Sequence, residues 1–246
     1  MEERPIVIMC AMEVEMDFLL EKLENAKCEV VGKYKFYEGT IKNYPVVICQ
    51  CFVMSINATV ATYIAIQKYQ PKAIISQGTA GAHGKNIHTG DIVVGEKCIN
   101  IVSCKTPAKK EGEGSNSFEW DLVNFICGEE DRLEYQYGDE HLIELAKQVS
   151  YEDGNVHFGT IGSGDVWNCE ADRILWLNEK YGTLCEEMEG IAVYKLANDF
   201  QVPVLGIRII SNNEILCEPY DRNIGRKSQE FAYELVLKLI QESEAK

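Results

Sequence analysis

The chain has 246 residues, 46% hydrophobic and 26% charged, and a net charge of −15. So acidic a surface repels nucleic acid and anionic membranes, and neither is expected as a partner. No segment approaches the roughly 20 apolar residues of a membrane span, and the acidic start Met1-Glu2-Glu3-Arg4-Pro5 does not read as a signal peptide, so a cytoplasmic protein is expected.

Strands and helices alternate along the chain. Pro5 to Cys10 reads as a short buried strand, and Glu13 to Leu23 as a helix with apolar Met16, Leu19, Leu20 and Leu23. Tyr34 to Ile41 and Val46 to Val53 are strands of a meander, and Ile56 to Tyr69 is a helix. Ala73 to Ser76 is a strand, followed by a small-residue turn, Gln77-Gly78-Thr79-Ala80-Gly81-Ala82. Asp91 to Lys97 is a strand, Glu140 to Val149 a helix and Val156 to Ile161 a strand. Ala171 to Lys180 and Glu187 to Asp199 are helices around the short strand Thr183-Leu184-Cys185. Val204 to Ile210 is an almost unbroken apolar run, as in a strand covered on both faces, and Lys227 to Gln241 is the last helix. The order predicts an α/β fold: one domain over 1–246, a three-layer sandwich with a central mixed β-sheet flanked by helices.

The segment Ser103–Tyr137 breaks this pattern. It is polar and Gly-containing, and it carries Phe118, Trp120, Phe125, Tyr135 and Tyr137. A loop this long inside a compact domain is usually functional or disordered. Its aromatics suggest a lid, a subunit contact, or both.

Ten cysteines occur without a CxxC pair or a Cys/His cluster of zinc spacing, so reduced thiols and no metal are expected. The stretches that can carry chemistry follow strands. Glu13 and Glu15 sit where the first strand turns into the first helix, as dipole-favoured first-turn charges or with one as a general base. Ser163-Gly164-Asp165-Val166-Trp167-Asn168 offers an aromatic wall after a turn. Glu186, Glu187 and Glu189 crowd three carboxylates ahead of a small apolar helix start, where a buried carboxylate needs partners. This stretch and the strand end Arg208-Ile209-Ile210-Ser211-Asn212 are separated by one helix and one strand, the spacing of a βαβ unit. Together they supply what a nucleoside needs: acceptors for ribose hydroxyls and polar groups for the edge of a base.

In their order along the chain, Ala-Met-Glu-x-Glu, Gly-Thr-Ala-Gly, Thr89-Gly90-Asp91-Ile92-Val93-Val94, Ser-Gly-Asp, Glu-Met-Glu and Arg-x-Ile-Ser resemble the nucleoside phosphorylase superfamily. Within it they are most similar to the methylthioadenosine/S-adenosylhomocysteine nucleosidases. The resemblance runs from Ile6 to about Ser211 and is poorest over Ser103–Tyr137. It implies a purine nucleosidase that needs no cofactor and assembles as a homodimer. It implies that Glu15 activates water, that Glu189, beside Glu187, binds the ribose hydroxyls, and that Met188 packs under the sugar. It places Trp167 on the purine face, the backbone of Asn168 at the base edge, Thr79 in the sugar pocket, and Arg208 and Ser211 at the end of the base-binding strand. Phosphorylases of the superfamily carry arginines for phosphate where this chain has Cys10-Ala11-Met12-Glu13 and Ser76-Gln77-Gly78-Thr79, which favours water as the nucleophile.

Two departures from the family pattern bear on substrate. Asn212 stands where the nucleosidases have the aspartic acid that protonates the leaving base, a contribution of roughly 10²–10⁴-fold. An amide donates a hydrogen bond but not its proton. The base is then a 6-oxopurine, or hydrogen bonding alone stabilises the leaving group, or the residue is an inactivating substitution. A phosphorylase and a catalytically silent nucleoside-binding protein are the rival readings. Phe52-Val53-Met54-Ser55 also replaces the family's Gly-Ile-Gly-Lys, which leaves the 5′ substituent open.

Overall fold

A computed structural model of the chain describes residues 3–123 and 133–244. The first strand, β1 (Ile6–Cys10), is buried along its whole length. Its side chains alternate between two cores: Ile6, Ile8 and Cys10 enter one, Val7 and Met9 the other. Such a strand requires helices on both sides.

A short 3-10 turn (Glu13–Glu15) leads into α1 (Asp17–Lys22), then β2 (Glu24–Val31), β3 (Tyr34–Ile41), β4 (Tyr44–Gln50) and α2 (Ser55–Tyr69). The strands β5 (Ala73–Ala82), β6 (Ile92–Asn100), β7 (Cys104–Lys105), β8 (Asp121–Leu122) and β9 (Tyr135–Tyr137) come next. They are followed by α3 (Glu140–Ala146), β10 (Val156–Ser163), α4 (Ala171–Tyr181), β11 (Thr183–Glu187), α5 (Gly190–Asp199), β12 (Val204–Asn212) and α6 (Gly225–Glu244). The main sheet runs β11-β10-β6-β12-β5-β1-β4-β3-β2, with β9 on β6. It is mixed: β1 is parallel to β4 and β5, whereas β12 is parallel to β5 and antiparallel to β6. Residues of α3 and α6 fill one core and residues of α2 and α5 the other, giving the expected three layers.

The structure moves several boundaries, and each shift has a local cause. The helix expected over Glu13–Leu23 is only α1, because the Glu15 carboxylate accepts from the N–H groups of Ala11 and Met12 and pins a tight turn ahead of it. The turn expected at Gln77–Ala82 is the second half of β5, and its glycines serve close approach rather than chain reversal. A Cβ on Gly78 would lie 2.9 Å from Glu15 Oε1. Glu187 ends β11 instead of opening a helix, and α5 begins at Gly190 with Glu189 as its N-cap. The unexpected β2 pairs only with β3 at the sheet edge, so it buries no face and shows no apolar alternation.

The βαβ expectation for β11-α5-β12 also changes. The two strands do not pair with each other; both pair with β5, which lies between them. Beside this, the described part of Ser103–Tyr137 does not lie over the cleft described below. β7 and β8 form their own small ladder. Phe118 stands edge-on to Trp176 of α4, and Arg173 donates to the Ser117 carbonyl. Phe125 lies outside the described residues.

Candidate active site

The strands β1, β5, β11 and β12 end at one cleft, the usual ligand position of an α/β sheet. The cleft encloses about 750 Å³ of space, open solvent included, within the range of small-molecule sites. Five glutamates line it: Glu15, Glu186, Glu187, Glu189 and Glu214. Among the described residues, no lysine or arginine does.

Glu15 is buried, and both of its oxygens are held. Oε2 accepts from the backbone of Ala11 and Met12 at 3.2 and 3.0 Å. Oε1 accepts from the backbone N and hydroxyl of Thr79 at 2.9 and 3.1 Å. Burial raises its pKa against these bonds, which pull it down. A carboxylate fixed in place with a raised pKa is a stronger base than an ordinary one.

Glu187 and Arg208 form the second fixed unit. Arg208 is 2% exposed, and its five N–H groups are all committed. Nε and Nη2 reach Glu187 Oε2 at 3.2 and 2.6 Å, Nη1 reaches the carbonyls of Ser76 and Ile207, and Nη2 also reaches Ser76 Oγ. Glu187 in turn accepts from the backbone N–H groups of Glu189 and Gly190, setting the start of α5. Arg208 therefore stands behind the cleft wall and orients Glu187, with no donor left to meet a ligand.

Glu189 faces the cleft beside them, with Oε1 accepting from Met54 N at 2.7 Å. That bond uses unusual backbone: Met54 has φ 81° and ψ 152°, and Phe52 has φ 62°, both non-glycine residues at positive φ. Removal from water, then the neighbouring Glu187 charge, push the Glu189 pKa up to about 8. With the folded pKa raised, the stability it contributes is complete below the ordinary carboxylate range and is lost as pH rises through about 8. Urea denaturation at roughly pH 6 and pH 9 should show this loss in the native protein and a smaller one in Glu189→Gln.

At the other end of the cleft, Trp167 is 57% exposed and meets Tyr220 edge-on at 5.6 Å between centroids. Asn212 Oδ1 lies 3.0 Å from Ser211 Oγ, which also reaches the Ala80 carbonyl, and Nδ2 donates to Glu214 Oε1 at 3.2 Å. Asn168 turns both its backbone N–H and its side-chain amide to Glu186, so that N–H is not left for a base as the resemblance implies. His83 Nε2 lies 3.0 Å from Glu186 Oε2, and its Nδ1 lies 2.7 Å from Thr183 Oγ1.

Glu15, Thr79, Trp167, Asn168, Glu187, Met188, Glu189, Ser211 and Asn212 thus share one cleft, and Arg208 alone of the expected residues stands outside its lining. His83, Tyr220 and Glu214 were not expected. Position just after the Gly-Thr-Ala-Gly run and just after Asn212 would have suggested His83 and Glu214. Tyr220 comes from an irregular loop with no periodic signal.

The phosphorylase superfamily model matches residues 5–241. The chain belongs to the phosphorylase superfamily. A 5′-methylthioadenosine/S-adenosylhomocysteine nucleosidase of Bacillus cereus (strain G9842) is 26% identical over 211 residues, 84% of this chain and 85% of that protein. Among solved structures, the nucleosidase of that name from Neisseria meningitidis, in complex with methylthio-immucillin-A, superposes with a TM-score of 0.77 at 24% identity, covering 95% and 98% of the two chains. Futalosine hydrolase of Helicobacter pylori superposes with a TM-score of 0.77 at 21% identity, covering 96% and 98%. At these identities the structural likenesses concern the fold.

Proposed function

We propose that this chain is an N-ribosyl hydrolase that cleaves the glycosidic bond of a purine nucleoside, in the manner of the methylthioadenosine/S-adenosylhomocysteine nucleosidases. The carrying observation is the charge of the cleft. A phosphate dianion needs cationic donors, and the described lining has five glutamates with no lysine or arginine. Water is the nucleophile that this lining accepts.

In this reading Glu15 takes a proton from water as the oxygen attacks C1′. Glu189 accepts from the ribose hydroxyls, Met188 packs under the sugar, and Thr79 orients Glu15 through its N–H and hydroxyl. Arg208 is a positioning residue for Glu187. Trp167 supplies a face for the base, and Asn212 donates to the base as the bond to N9 breaks. Incubation of purified protein with purine nucleosides, with and without phosphate, tests the reaction. Free base with free ribose at a phosphate-independent rate is expected. A sugar 1-phosphate product would identify a phosphorylase, and binding without turnover a silent receptor.

The cleft mouth adjoins an apolar surface. Ile56, Val60 and Tyr63 recur at helical spacing on the outside of α2, with Ile56 75% exposed, and Tyr63 meets exposed Phe200 edge-on. This stripe begins two residues after Met54, whose N–H holds Glu189. We assign it to a homodimer contact that braces the site. Sedimentation at micromolar concentration should give twice 27.8 kDa, and Ile56→Lys should return the monomer mass.

A further inference from the structure

We infer that Asp165 is a positioning residue of the cleft: through the first turn of α2 it ties the segment carrying Trp167 to the backbone that holds Glu189. This rests on the nucleoside reading above, in which Trp167 meets the base and Glu189 the ribose. Asp165 itself is exposed and is not part of the cleft lining. Its Oδ1 accepts from Ser55 N and its Oδ2 from Ser55 Oγ, both at 2.7 Å, across 110 residues of sequence. Ser55 is the first residue of α2, and the N-cap, Met54, offers no side-chain cap of its own. Asp165 supplies that cap from another segment, at a helix end where the dipole favours negative charge. One residue earlier, Met54 N donates to Glu189. Two successive N–H groups at one helix start therefore hold two carboxylates, one following β10 and the other following β11.

The backbone so held does not hold itself. Met54, at φ 81° and ψ 152°, occupies a region that only glycine enters freely. Such a conformation persists where its surroundings over-determine it. Here Asn57 Nδ2 donates to the Val53 carbonyl at 2.6 Å, Met54 N to Glu189, and Ser55 twice to Asp165. Without the Asp165 pair, the strain at Met54 relaxes by turning its peptide, which withdraws the N–H from Glu189. The other end of the tie is equally local. Segment 163–168 is pinned where it starts, by Ile191 N on Ser163 Oγ and by Gly164 N on the Glu187 carbonyl, and where it ends, by Asn168 on Glu186. Between these points Val166 N donates back to the Gly164 carbonyl at 2.7 Å, a tight turn with Asp165 at its apex and Trp167 two residues on. Asp165 anchors that apex to α2. Met54 and Ser55 stand where the resembled nucleosidases have glycine and lysine. Glycine needs no such hold, and lysine has no hydroxyl to offer Oδ2.

The test compares the native protein with Asp165→Ala, Asp165→Asn and the double variant Met54→Gly, Asp165→Ala, using adenosine and inosine as substrates. Asp165 is exposed, so its replacement leaves the core intact. Asp165→Ala should raise KM by roughly 3- to 30-fold, the worth of a helix cap. Its kcat should stay within about 3-fold of native, because base and ribose are held alike in ground and transition states. Asp165→Asn should keep KM within about 3-fold of native, since its oxygen accepts from Ser55 N and its amide donates to Ser55 Oγ. Glycine holds the Met54 conformation without strain, so the double variant should lower KM again by about 2-fold or more relative to Asp165→Ala. Labelling with 5-fluorotryptophan gives a readout that needs no substrate. The Trp167 resonance, assigned by its loss in Trp167→Phe, should shift or broaden in Asp165→Ala and stay in place in Asp165→Asn. An unmoved resonance, an unchanged KM, or Asp165→Asn as damaging as Asp165→Ala overturns the inference. No recovery from Met54→Gly overturns it as well, because the link to Glu189 runs through Met54. If the native protein cleaves neither nucleoside, the nucleoside reading fails and the resonance alone decides. Movement confined to Asp165→Ala then keeps the tie between the two segments, and no movement removes it too.

Discussion

Glu15→Gln is expected to lower turnover by roughly 10²–10⁴-fold, the usual worth of a positioned general base. The amide cannot take the proton of water. It also serves only one of the two donor pairs that the carboxylate now satisfies, at Ala11 and Met12 on one side and Thr79 on the other. A stability loss of about 1–3 kcal/mol should accompany the substitution, so turnover is compared well below the melting temperature, with nucleoside binding measured alongside. In the native protein the rate should fall as pH drops through the raised Glu15 pKa, because only the ionised carboxylate accepts the proton. The residual rate of the variant should lack that acid limb. Turnover within a few-fold of native would place the base elsewhere.

The second large effect belongs to Arg208. Arg208→Met leaves Glu187 buried with its cationic partner gone, a situation that costs about 3–5 kcal/mol. Glu187 also sets the N–H groups at the start of α5, so Glu189 should lose its position and ribose binding should weaken with stability. The double variant Glu187→Gln, Arg208→Met should recover part of the stability, because the unpaired charge is gone, yet recover little activity. Urea denaturation gives the first quantity and nucleoside titration the second. A single variant within about 1 kcal/mol of native would show that the pair is not the support argued here.

The local code determined much of this protein. Unbroken apolar runs were enough to locate β1 and β12, because both are buried on two faces, and apolar periodicity with turn signals located β3, α2 and α4. Nine of the ten residues that the motifs singled out line one cleft. What was not legible depends on partners remote in sequence. The turn at Glu13–Glu15 exists because a carboxylate folds back onto Ala11 and Met12 and is held by Thr79, 64 residues away. The Gly-Thr-Ala-Gly run reads as a turn, but β12 and β11 pair with it on its two sides and make it strand. Arg208 reads as a ligand residue because it ends a strand at the cleft, and only packing shows its donors spent on Glu187 and Ser76. Glu186 is the sharpest instance. In sequence it is one of three crowded carboxylates; its place across Gly81 from Asn212, with His83 behind it, comes from three strands meeting. Propensity and pattern act within a dozen residues, whereas hydrogen-bond satisfaction of a buried charge is settled by whatever the tertiary fold brings within about 3 Å.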